Sequence, residues 1–183
     1  MNTANLAASR RFVRACALFA LLLVPATLLP VRSARAAELP DLIDQIKPSI
    51  VVIGTYSQTR SPPFVMRGTG FVVGDGTLVA TNAHVVPDVL DVASNEILVV
   101  QALSNADRPQ QRAARTVAQD RAHDLTLLRV DGAPLPPMVL QDKGKVREGQ
   151  RVAFTGFPIG GVLGLSPVTH RGIISAITPI VLP

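Results

Sequence analysis

Cysteine occurs once in the 183 residues, as Cys16, and tryptophan not at all. A single thiol excludes a disulfide framework and a cysteine-based metal site, so stability has to come from a packed core. Histidine is nearly as scarce: His84, His123 and His170 are the three. No His-Glu-x-x-His or comparable spacing joins them, so surface histidines are expected rather than metal ligands, and no metal or cofactor is indicated. Aromatic residues make up only 4%, and no basic patch carries interleaved aromatics, so nucleic acid is not an expected partner.

Acidic residues are absent from residues 1–36, which nevertheless hold Arg10, Arg11, Arg14, Arg32 and Arg35. The first three arginines precede an apolar run over residues 15–31, and the small-x-small tripeptide Ala34-Arg35-Ala36 follows it. This order reads as an export signal, residues 1–36, cleaved before Ala37. Pro25 and Pro30 interrupt the run, which is short for a span, so no stable membrane anchor is expected after cleavage. Cys16 is removed with the segment, and nothing around it resembles a lipobox. Beyond residue 36 basic and acidic residues balance, so the formal net charge of +5 records the signal and not an affinity for nucleic acid. The expected location is exported, periplasmic or secreted, and residues 37–183 suffice for an ordinary domain with its own core.

Helical periodicity is confined to one place, where Leu39, Leu42, Ile43 and Ile46 share a face and Lys47-Pro48 ends the pattern. Ile50 to Ile53 then begin a buried strand, and residues 59–66, with Ser61-Pro62-Pro63, read as an exposed loop. Short runs rich in Val, Leu, Ile and Thr follow at residues 70–73, 78–81, 97–102, 115–118 and 125–130. Gly74-Asp75-Gly76 suits a tight hairpin, residues 104–109 a polar turn, and Asp131-Gly132-Ala133-Pro134 a terminator. Later strands are expected at residues 151–155 and 168–178, with residues 134–137 as the link between two β units. Many short strands and little helix indicate an all-β sandwich or barrel.

His84, in Thr81-Asn82-Ala83-His84, stands where a strand gives way to a turn, a position from which an imidazole can face a cleft. Asp124, in His123-Asp124-Leu125-Thr126-Leu127-Leu128, stands at the entry to another strand and could hold one tautomer of that imidazole by accepting from its other nitrogen. These segments, together with Gln45 to Val51, Gly68-Thr69-Gly70-Phe71, Val152 to Pro158 and Val168 to Ile177, are similar in order to trypsin-like serine peptidases of the HtrA/DegP type. The resemblance implies a double β-barrel with a short N-terminal helix, the first barrel (residues 37–136) complete and the second (residues 137–183) partial. It implies His84 and Asp124 as catalytic residues of a His/Asp/Ser triad, polypeptide substrates and no cofactor, and it leaves homo-oligomer formation open.

The family's nucleophile lies in a Gly-Asn-Ser-Gly-Gly-like loop, and no Gly-x-Ser-Gly-Gly string occurs in the sequence. Ser166 lacks a following glycine and is expected in a turn; Ser175 lies in an apolar run and is expected to be packed or strand-facing. Neither has surroundings that let backbone amides converge on an oxyanion. The expectation is therefore a serine endopeptidase sequence truncated before its nucleophile loop and inactive by itself. The alternative is a non-catalytic peptide-binding or interaction module on a trypsin-like fold, holding an extended peptide by strand addition.

Overall fold

The computed structural model describes residues 38–102, 109–140, 144, 146–158 and 165–178. The expected signal and most of the polar turn at 104–109 lie outside these residues. The helix α1 (Leu39–Ile46) and a 3-10 turn (Lys47–Ser49) lead into β1 (Ile50–Tyr56), followed by β2 (Phe64–Val73), β3 (Leu78–Thr81), β4 (Ile97–Ala102), β5 (Gln110–Asp120) and β6 (Leu125–Val130). All six strands pair antiparallel and close a barrel in the order β1-β2-β3-β6-β5-β4. A second sheet consists of the antiparallel pair β7 (Arg151–Gly156) and β8 (Val168–Ile173). The described residues are thus all-β apart from one short helix and a few 3-10 turns.

Alternation decides which side chains fill the barrel. Along β1, Val51 and Ile53 point inward to Val72, Val79, Leu98, Val100, Leu128 and Val130, while Ile50 and Val52 point outward and join Phe157 in a second cluster. That outer cluster also draws in Phe64, Met66, Phe71, Met138 and Leu165, so the second sheet leans on the barrel wall. Thr69 Oγ1 fastens the contact by accepting from the Phe157 amide at 2.9 Å. A Cβ on Gly70 would stand 2.8 Å from Val79 and 2.9 Å from Ile53, so this strand crossing requires the smallest residue.

Residues 131–138 are held against the barrel rather than free of it. Leu135 N donates to Gly76 O and Met138 N to Val72 O, both at 2.8 Å, and Leu135 is buried. Gly76, at φ +87°, has the Leu135 carbonyl where a Cβ would project, so the expected hairpin turn at residues 74–76 is required to carry glycine there.

Several strands differ in extent from the sequence expectation. β2 starts at Phe64, inside the expected loop at residues 59–66, because Phe64 pairs with Tyr56 and Val65 with Thr55 at the end of β1. β5 runs over Gln110–Asp120 instead of residues 115–118: its polar sequence hides a strand that is hydrogen-bonded to β4 on one side and β6 on the other, with a bulge near Val117. β8 stops at Ile173 rather than continuing to Thr178, and Ser175 is exposed instead of packed.

One ion pair ties the loop after β1 to the start of β4. Arg60 reaches Glu96 at 2.6 Å and the Thr55 carbonyl at 2.8 Å. The Thr55 hydroxyl, the Asp91 amide and the Arg60 guanidinium, in that order, pull the Glu96 pKa from 4.5 down to about 2. A carboxylate with a depressed folded-state pKa stabilises the fold above its unfolded value, and that contribution disappears as pH falls through the folded value. Stability is therefore expected to decline between about pH 4.5 and 2, and Glu96→Gln is expected to flatten the part of that decline due to Glu96, as read from denaturant midpoints across pH.

Candidate active site

The barrel register brings together two segments far apart in sequence. Thr81, the last residue of β3, pairs with Thr126 near the start of β6, so the residues just beyond β3 meet those just before β6. Asn82 is extended, and Ala83–Val85 then wind into a 3-10 turn closed by Val85 N to Asn82 O and Val86 N to Ala83 O, each at 3.2 Å. Ala83 and Val85 are both buried. Val85 packs so closely over Gly68 that a Cβ there would come within 2.7 Å of it. With both neighbours anchored in the wall, His84 projects outward, and its side chain is 72% exposed.

Asp124 closes the turn after β5 in the left-handed region, at φ 53°, a conformation that Asp and Asn tolerate better than most residues. Its carbonyl accepts from the Ala83 amide at 3.1 Å. Its carboxylate grips His84 twice: Oδ1 accepts from the His84 amide at 2.9 Å, and Oδ2 lies 2.6 Å from His84 Nδ1. The His84 amide is the largest cause holding the Asp124 carboxyl below its usual pKa; desolvation opposes it, and the imidazole adds to it.

An ionised carboxylate can only accept, so the proton of a neutral His84 ring sits on Nδ1 and the lone pair on Nε2. The outward nitrogen can therefore take a proton from an approaching group, and the resulting imidazolium stays paired with Asp124. Both side chains are too exposed for the pair to add much stability. What the arrangement secures is orientation.

The other two histidines lie elsewhere. His123 pairs with Asp120 within one turn, Nδ1 to Oδ2 at 2.7 Å and amide to Oδ1 at 3.1 Å. The imidazole and amide of His123 hold the Asp120 pKa low. Its bond pattern copies that of His84, and its side chain is about as exposed, but the pair is local, three residues apart within one turn. His170, on β8, stacks on Phe154 with ring centroids 5.2 Å apart. Among the described residues, no group of three His, Cys, Asp or Glu side chains could hold a metal ion. Ser166 and Ser175 are exposed, and among the described residues the partner of the His84 ring is Asp124. Sequence reasoning missed Asn82, whose amide also reaches Asp124.

Residues 68–181 match the model of the trypsin-like peptidase domain, a stretch that contains both members of this pair. The chain belongs to the trypsin-like peptidase family. A probable periplasmic serine endoprotease, DegP-like, of Pseudomonas putida is 32% identical over 156 residues, covering 81% of this chain and 30% of that protein. The Halomonas elongata protein of the same description is 29% identical over 209 residues, covering 91% of this chain and 41% of the relative. Serine protease HTRA1A of Danio rerio is 29% identical over 72% of this chain and 27% of its own length. This trypsin-like peptidase chain thus spans between a quarter and about two fifths of the length of these relatives. Its fold is similar to that in the crystal structure of Deg5, with a TM-score of 0.61, 23% identity, and coverage of 78% of this chain and 64% of that one.

Proposed function

We propose that the chain carries the base and its orienting acid for a serine endopeptidase that cleaves polypeptides outside the cytoplasm. His84 Nε2 removes the proton from a serine hydroxyl as that oxygen attacks the peptide carbonyl. Asp124 Oδ2 holds the ring through Nδ1 and stabilises the imidazolium. The imidazolium returns the proton to the departing amine as the C–N bond breaks, and water, deprotonated by the same nitrogen, then hydrolyses the acyl ester. Residues 37–136 supply this half of the machinery, and residues 137–183 begin the second barrel.

The observation that carries the reading is the double grip of Asp124 on His84, Nδ1 at 2.6 Å and amide at 2.9 Å, within the stretch matched to the peptidase domain. Export through residues 1–36 agrees with relatives described as periplasmic. The serine that the chemistry requires does not stand in a glycine-flanked string within residues 1–183. By themselves, these residues are expected to leave a casein substrate uncut and to remain unlabelled by a fluorophosphonate probe. Labelling of Ser166 or Ser175, located by peptide mapping, would overturn the assignment.

A further inference from the structure

We propose that Asn82 is a positioning residue for the His84–Asp124 pair, its side-chain amide fixing the Asp124 carboxylate on the line of His84 Nδ1. The role rests on the reading of that pair as base and orienter. Asn82 Nδ2 donates to the Asp124 main-chain oxygen at 3.1 Å and to Asp124 Oδ2 at 3.2 Å. Both partners are acceptors, so it is the NH2 and not the carbonyl of the amide that faces them. One group thereby bridges the backbone and the carboxylate of the same residue, and that restricts the Asp124 side-chain torsion directly.

Asp124 requires such a restraint. It sits in a left-handed conformation on an exposed turn, and the other donors to its carboxylate, the His84 amide and ring, both belong to His84. The His84 amide, between the buried Ala83 and Val85, fixes Oδ1, whereas without Asn82 Oδ2 would be held only by a ring whose side chain is 72% exposed. Asn82 supplies an independent reference, fixed at the end of β3 one residue after the Thr81–Thr126 pair.

The test is proton and nitrogen NMR of the 183-residue chain with Asn82→Ala and Asn82→Asp, read at Asp124, at the His84 Nδ1 proton and at the barrel amides of Val79 and Leu128. Removing a donor to the charged form is expected to raise the Asp124 titration midpoint and to speed exchange of the His84 Nδ1 proton several-fold. Asn82→Asp has nearly the same shape but sets a second carboxylate beside the first, so its shift is expected to be larger. The Asp120 carboxylate is expected to titrate as before. Unchanged Asp124 titration and His84 exchange in a folded barrel would overturn the proposal, whatever happens to thermal stability. Loss of the folded spectrum in both variants would give Asn82 a purely structural role and overturn it equally. Since the readout is titration, failure here is distinct from failure of the peptidase reading, which hydrolysis tests.

Discussion

His84→Ala, introduced into a polypeptide that joins this chain to a Gly-x-Ser-Gly-Gly loop, is expected to lower kcat for peptide hydrolysis on the order of a millionfold. Asp124→Asn is expected to cost about ten-thousandfold, because an amide at that position no longer selects the tautomer with the lone pair on Nε2. The two losses should not add, since the residues act as one unit: without the base there is nothing left for the carboxylate to orient. His123→Ala provides the contrast. His123 and Asp120 reproduce the same two bonds within a single turn, so loss of that pair should leave kcat largely intact. Comparable losses at the two histidines would mean that the turn as a whole, and not the His84 ring, carries the effect.

Leu128→Ala is expected to destabilise the fold by about 2–5 kcal/mol, the range for deleting a fully buried leucine side chain. Leu128 is 0% exposed and sits in the barrel interior with Val51, Ile53, Val72, Val79 and Val100. It pairs with Val79 on β3 and with Thr116 on β5, and these hydrogen-bonded neighbours prevent the wall from collapsing into the space left behind. Leu125, three residues earlier on the same strand and 54% exposed, is expected to tolerate alanine with little loss. Urea midpoints for the two variants decide the point, and equal midpoints would contradict the interior assignment.

Strands whose side chains face the interior were legible in the sequence. Residues 78–81, 97–102 and 125–130 are bounded in the fold as their β-branched and leucine-rich runs suggested, because the apolar pattern there is itself the requirement of the core. β5 was largely hidden. Gln110, Gln111, Arg112, Arg115, Gln119 and Asp120 carry no burial signal, and the strand exists because its backbone is claimed on both sides. The start of β2 lay behind Pro62-Pro63, where loop chemistry and strand chemistry adjoin. At the site, His84 and Asp124 could be singled out from the residues flanking each, whereas Asn82 could not. Its role depends on the local left-handed turn at Asp124 and on the register of β3 against β6, which brings together residues 42 positions apart.

The central claim is that His84, held by Asp124, serves as the base for a serine nucleophile. It is tested most directly by fluorophosphonate labelling, with the modified residue mapped, of the polypeptide that contains the glycine-flanked serine loop. The expected result is a label on that serine, lost in His84→Ala and retained in His123→Ala. Labelling of the serine at an undiminished rate in His84→Ala would contradict the account.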